Sequence, residues 1–207
     1  MRAWLRPVMV LASAVLLMAC DALGPTPAPT AIPRVALPNG VTYLAPAGWQ
    51  DAPLDALRAQ LQQPIDEGQV SGDIAAAWSR LVALIDAHTL IGAVTGQSTG
   101  SEATVAILIF DIPATPSLDD TADAALALVD VMPSKQVTSR TRIALPIGPA
   151  IRILSSGSPV GGSPTASIEY VIDLGNGHAL YLNGAAPVGD ASFEPIMTAF
   201  AEGLSKS

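Results

Sequence analysis

The chain contains few of the residues on which covalent or ionic chemistry depends. Cys20 is its only cysteine, it has two histidines, and aromatic residues make up 4% of the sequence. A single cysteine excludes an intrachain disulfide. Basic residues are also scarce, with ten Lys and Arg against 18 Asp and Glu. Because nucleic-acid binding relies on neutralising phosphates, an acidic chain without a basic cluster is not expected to bind nucleic acid.

No long apolar segment is found near the N terminus either. The apolar run at 8–18 has eleven residues, whereas a helix that spans a bilayer needs about 20. Arg2 and Arg6 precede this run, and the small residue Ala19 stands directly before Cys20. The pattern resembles a bacterial lipoprotein signal, in which the cysteine is acylated and becomes the new N terminus. A secretory signal without a lipid is the alternative, but it does not explain a cysteine at the cleavage position.

The lipoprotein pattern predicts a signal peptide at 1–19, a lipidated Cys20, and an extracytoplasmic protein anchored to the cell membrane. Four prolines at 21–33 favour an extended spacer, so residues 20–36 are interpreted as the lipidated cysteine and a tether. Residues 37–207 then form a single domain, which is half apolar and therefore expected to fold. Removing Arg2 and Arg6 leaves eight basic residues against 18 acidic ones, a formal charge of −10.

The hydropathy pattern of the domain predicts an α+β fold with a central, mainly antiparallel sheet flanked by helices. Helical spacing begins at Leu54 and is expected to stop at Pro64, and a clearer helix begins at Asp73, the expected N-cap. A third helix is predicted at 119–131 and a closing helix after Ser192. Strands are predicted at 41–45, 89–95, 104–111, 137–145, 150–155, 167–174 and 179–183. In the strand at 167–174, alternation places Glu169 on the face opposite to Ile168.

Both ends of the domain carry a recognisable pattern. The segment Gly40-Val-Thr-Tyr-Leu-Ala-Pro-Ala-Gly-Trp49 resembles the opening of PsbP/Mog1-like domains. A strand at 167–174, an Asn176-Gly177 turn, a second strand and a closing helix resemble their C-terminal end. The resemblance covers about residues 37–205 and implies a central antiparallel sheet between helices. It also implies a function in binding and assembly, since the family includes an extrinsic photosystem subunit, a nuclear-transport factor and bacterial lipoproteins. No functional residue of the family can be placed on this chain.

Catalytic and metal-binding patterns are weak. Gly96-Gln-Ser-Thr-Gly100 matches the G-x-S-x-G motif of serine hydrolases, but that motif needs a helix after the serine, and a strand is predicted there. His178 follows a hairpin turn and is interpreted as an exposed hairpin residue, and His88 is expected at a helix C terminus as a surface residue. Three aspartates at 119–123 suit the first turns of a helix better than a metal site. We therefore expect no catalytic residue, no metal and no cofactor.

These observations lead to two hypotheses. The first is a membrane-anchored, extracytoplasmic, non-catalytic module of the cell envelope that binds a protein partner. Arg140 and Arg142 lie on one face of a predicted strand in a segment without acidic residues, and they are the candidate partner-binding residues. The alternative is a small-molecule carrier or sensor with a pocket between sheet and helix.

Overall fold

The fold is built around one seven-stranded sheet. The computed structural model describes residues 34–97, 104–128, 135–158 and 163–206. The strands are β1 (Val35–Ala36), β2 (Val41–Tyr43), β3 (Gln50–Asp51), β4 (Leu90–Gln97), β5 (Thr104–Pro113), β6 (Gln136–Leu145), β7 (Gly148–Gly157), β8 (Thr165–Gly175), β9 (His178–Pro187) and β10 (Ser205–Lys206). The helices are α1 (Leu54–Asp66), α2 (Gly72–Asp86), α3 (Leu118–Leu128) and α4 (Phe193–Glu202).

The strand order in the large sheet is β3-β4-β5-β9-β8-β7-β6, and every pairing is antiparallel. A small sheet of order β1-β2-β10 joins the two ends of the described chain. Strand β5 lies inside the large sheet, and its run at 105–110 is apolar at every position, a pattern typical of a central strand that is covered on both faces. The predicted α+β class with a central antiparallel sheet flanked by helices is confirmed.

Two hydrophobic clusters cover the two faces of the large sheet. On the first face, α4 and the small sheet pack on Ile107, Ile109 and Leu182. On the second face, α1, α2 and α3 pack on Phe110, Ile151 and Ile153. The central strands are therefore buried from both sides, and β6 at the edge is left with mostly exposed residues.

The helix boundaries differ from the predictions at two places. Helix α1 does not stop at Pro64 but continues to Asp66, since Pro64 lies in the last turn and its missing N–H removes only one helical hydrogen bond. Helix α2 begins at Gly72 with Ser71 as its N-cap, instead of at Asp73, which falls in the first turn. Trp78, Val82 and Ile85 form its buried face.

The turn predicted at Asn176-Gly177 is confirmed. Both residues have positive φ, 55° and 79°, as a type I′ turn requires, and they connect β8 to β9. The predicted closing helix is also present, with Ser192 as its N-cap and Pro195 inside its first turn. The turn sets the register of β8 against β9 beside it.

Candidate functional site

The outer edge of β6 is the longest open strand edge among the described residues. β6 has ten residues and pairs only with β7, whereas the other edge strand, β3, has two. A two-residue loop of Pro146 and Ile147 joins β6 to β7 and pairs Leu145 with Gly148. Val137 is 48% exposed near the start of the strand, which bulges between Val137 and Ser139.

The pairing with β7 shows which backbone groups of β6 face outward. Ala144 lies opposite Pro149, which has no N–H, so this pair cannot be one that exchanges two hydrogen bonds. Hydrogen-bonded and non-hydrogen-bonded pairs alternate along an antiparallel ladder. Arg142 and Arg140 are two and four residues before Ala144, so they also belong to non-hydrogen-bonded pairs. The N–H and C=O groups of these three residues therefore point away from β7, and no described strand pairs with them. They span about 14 Å along the edge.

Arg140 and Arg142 lie on one face of β6, as predicted, but they are not in acid-free surroundings. Arg140 Nη2 is 2.6 Å from Asp123 Oδ1, and Arg142 pairs with Asp119. Both aspartates belong to the first half of α3, which packs on β7 and β8. The sequence pattern indicated only helix N-terminal charges at these aspartates, because the contact crosses from helix to strand and has no local signal. The side chain of Arg142 remains 66% exposed.

A buried polar cluster anchors the start of β6. Lys135, directly before β6, places Nζ 2.7 Å from Oε1 of Glu169, whose side chain is fully buried. Ser155 donates a hydrogen bond to Glu169 Oε1 over 3.1 Å, and Tyr181 donates one to Oε2 over 3.0 Å. Burial and, next, the charge of Glu169 raise the pKa of Tyr181 well above its usual value. The cluster was not predicted, because strand alternation indicates only the face on which Glu169 lies and not what covers that face.

The residues weighed for catalysis are the two histidines and Ser98. His178 and His88 both line a cleft at one end of the large sheet, together with Asp111 and Lys206. His88 is not part of α2 but follows its C-cap with φ of 54°. Strand β5 follows β4 where the hydrolase motif would need a helix, and Ser98 itself lies outside the described residues.

Three further predictions bear on metals and membranes. Within the described parts of the chain, no three His, Cys, Asp or Glu side chains converge as a metal site. None of the helices α1 to α4 is long and apolar enough to cross a membrane. Cys20 and the tether up to residue 33 lie outside the described residues, so their roles stay predictions.

Comparison with known proteins identifies the fold. No protein-family model matches the chain, and no curated protein matches it in sequence. The chain is similar to cyanobacterial PsbP (CyanoP) from Synechocystis sp. PCC 6803, with a TM-score of 0.50, 12% identity, and coverage of 89% of this chain and 99% of that one. It is also similar to LpqN of Mycobacterium tuberculosis, a protein involved in cell envelope biogenesis, with a TM-score of 0.49, 12% identity, and coverage of 80% and 82%. The similarity to CyanoP confirms the PsbP-like fold.

Proposed function

We propose that this chain is a lipid-anchored, extracytoplasmic, non-catalytic binding module of the cell envelope. Its partner is a protein that adds an extended segment to the open edge of β6. The observation that carries this proposal is the row of outward-facing backbone groups at Arg140, Arg142 and Ala144, on a ten-residue strand with no described neighbour on that side. Strand addition to such an edge is a common way of binding a peptide, because main-chain hydrogen bonds supply much of the affinity.

The two arginines supply side-chain selectivity beside these backbone groups. A guanidinium has five N–H donors, and the contact with Asp119 or Asp123 uses only some of them. The exposed part of Arg142 can therefore also pair with a carboxylate on the added strand. Charged side chains on an edge strand also oppose unspecific pairing between copies. The preferred partner segment is accordingly extended and carries an acidic side chain next to its hydrogen-bonding positions.

The anchor and the location rest on the N-terminal sequence. Arg2 and Arg6, the apolar run at 8–18 and Ala19 before Cys20 support a lipoprotein signal, and the prolines at 21–33 support a spacer between lipid and domain. Two acyl chains hold a protein on a membrane where one does so only marginally. Replacing Cys20 with serine should abolish incorporation of a labelled fatty acid, and unchanged labelling of that variant would contradict the anchor.

The strand-addition proposal is tested by Ala144→Pro in the intact chain. Proline removes the N–H of residue 144, which points outward and makes no hydrogen bond to β7. The fold should therefore be retained, with little change in thermal midpoint. The matched control Ala144→Thr keeps the N–H. In-cell crosslinking followed by affinity purification should recover one reproducible partner with the unchanged chain and with Ala144→Thr, but not with Ala144→Pro. Equal capture by all three proteins, or no reproducible partner with any, would overturn the proposal.

The arginines are tested separately, by Arg140→Gln with Arg142→Gln. Glutamine removes the charge without the repulsion that glutamate would create against Asp119 and Asp123. We expect weaker capture of the same partner and a small change in thermal midpoint, since both ion pairs are largely solvent-exposed. The exposed pair of Arg58 with Asp86, on α1 and α2, provides the control. Arg58→Gln removes a similar pair from helices that contact β4, which lies five positions from β6 in the sheet. Full capture by the double variant would remove the arginines from the site.

A further inference from the structure

Both histidines of this chain lie in one cleft, remote from the outer edge of β6. The cleft has a volume of about 600 Å³ and lies where the small sheet meets the end of the large one. The turn between β1 and β2, the turn between β8 and β9, and the junction of α2 with β4 form its walls. Its apolar lining includes Val41, Leu90 and Ile91, all buried. Volumes of about 300–1,000 Å³ with an apolar lining and a few polar groups are typical of sites for small molecules.

His88 occupies a backbone position that favours glycine. Its N–H bonds to the carbonyl of Ile85 and the N–H of Thr89 bonds to that of Leu84, the hydrogen-bond pattern of a Schellman motif at the end of α2. The residue at this point of the motif is usually glycine, because a side chain in the left-handed region is strained. Here a histidine has φ of 54° and lines the cleft. The strained backbone therefore belongs to a residue that lines the cleft, and such outliers are typical of functional positions.

A short chain of contacts joins this position to the second histidine. The N–H of Asp111 donates to the carbonyl of Thr89, the residue after His88. The carboxylate of Asp111 lies 3.2 Å from Nδ1 of His178, measured at Oδ1. Asp111 thus holds the His178 ring on one side, and its backbone fixes the segment that carries His88. In the sheet, β5 lies between β4, which begins two residues after His88, and β9, which begins at His178. Both histidines therefore lie at the same end of the sheet and line the same cleft.

The charged groups of the cleft favour an anion. Lys206 Nζ donates to the carbonyl of Leu174 over 2.7 Å and retains two further N–H donors. The lining contains Lys206 and two histidines against the single carboxylate of Asp111, which already contacts His178. This concentration of donors occurs on a chain whose formal net charge is −8. Cationic and imidazole donors above an apolar surface match a ligand with an anionic group and an apolar body.

We infer that the cleft binds a small organic anion, a carboxylate or phosphate ester with an apolar body. Lys206 and His88 bind the anionic group, His178 is oriented by Asp111 and donates or accepts one further hydrogen bond, and the apolar lining contacts the body of the ligand. This inference goes beyond partner docking, since no residue of β6 lines the cleft. An experiment can therefore contradict one of the two proposals without contradicting the other.

The two histidines provide the assay. The imidazole signals of the purified chain are followed by NMR during titration with phenyl phosphate, benzoate, benzyl alcohol and inorganic phosphate. Saturable shifts of both imidazoles with phenyl phosphate or benzoate are expected, and the stronger of the two identifies the anionic group. Benzyl alcohol and inorganic phosphate each lack one half of the recognised chemistry and should bind at least tenfold more weakly. Shifts that do not saturate, or that are equal for benzyl alcohol, would overturn the inference.

Two variants separate binding from folding. Lys206→Gln should weaken binding of the preferred probe about tenfold, the usual effect of losing a hydrogen bond to a charged group. His88→Gly relieves the backbone strain, so it should raise the thermal midpoint and still weaken binding. A purely structural His88 would give the higher midpoint with unchanged affinity, and that result would remove it from the site. Arg80→Gln, on α2 and absent from the cleft lining, serves as the charge control and should bind the probe normally.

Discussion

Replacing Lys135 with methionine should destabilise the protein far more than replacing any exposed cation. The Lys135 side chain is 9% exposed and its Nζ lies 2.7 Å from the fully buried carboxylate of Glu169. Ser155 and Tyr181 each donate one hydrogen bond to that carboxylate, but neither carries a charge. Without Lys135, the negative charge of Glu169 stays in the interior with no opposite charge among its described contacts.

The expected loss of stability depends on whether one member or both members of a buried ion pair are replaced. Breaking one by deleting a partner costs about 3–5 kcal/mol, whereas replacing both members by neutral groups is often close to neutral. Lys135→Met should therefore lower the free energy of unfolding by about 3–5 kcal/mol, a large part of the 5–15 kcal/mol typical of a domain. Lys135→Met with Glu169→Gln removes both charges. The glutamine keeps one oxygen as an acceptor for Ser155 or Tyr181, and its amide N–H can donate to the other hydroxyl. The double variant should recover most of the loss.

Urea unfolding of the purified proteins measures both effects, provided that the slope of the free energy of unfolding against urea concentration is the same for all variants. Arg58→Met is the control, because Arg58 and Asp86 form an ion pair of similar length with both side chains exposed. Its effect should be much smaller than that of Lys135→Met. The reasoning is wrong if Lys135→Met is as mild as the control, or if the double variant is as unstable as the single one.

Two further predictions concern two buried tyrosines and one closely packed glycine. Burial raises the pKa of Tyr43 and of Tyr181 above the usual value for tyrosine, so the unfolded chain loses these two protons near pH 10 while the folded chain keeps them. Their contribution to the free energy of unfolding is complete below pH 10 and falls by about 2.7 kcal/mol per pH unit above it. Tyr181→Phe should halve this pH dependence, measured by urea unfolding between pH 10 and 11. An unchanged pH dependence would contradict the prediction. Gly96→Ala would place a Cβ within 2.4 Å of the Trp49 ring, so it should lower the thermal midpoint and the free energy of unfolding by about 1–3 kcal/mol, and a variant of unchanged stability would show that Trp49 can move aside.

Local signals in the sequence were sufficient for the four helices and the long strands, but not for β1, β3 and β10 or for the strand order. The Asn176-Gly177 turn requires positive φ at both residues, so it defined one hairpin without any knowledge of the rest. The run at 105–110 is apolar at every position, which is typical of a strand in the middle of a sheet, and β5 lies there. Proline was a weaker guide, since Pro64 lies within the last turn of α1 and interrupts little.

The contacts that shape the candidate sites could not be predicted in the same way. Glu169 follows the alternation of its strand, but its face is covered by helices, and its partner Lys135 lies 34 residues earlier at the start of another strand. Arg140 and Arg142 were predicted on one face, whereas their partners on α3 depend on how that helix packs. The cleft depends on residues from six separate segments, so its histidines seemed unrelated in the sequence.

The small sheet gives the molecule one further property, because it brings both ends of the described chain to the same spot. Arg34 Nη1 donates to the carbonyl of Gly203 over 3.3 Å and to Oγ of Ser205 over 2.5 Å, and β1 and β10 flank β2 on either side. A domain whose ends meet can be inserted into another chain, or circularly permuted, without changing its strand order. The same closure means that a chain joined directly before Arg34 and a chain joined directly after Lys206 would be attached to neighbouring points of the domain surface. Both attachments would leave the opposite end of the described domain uncovered.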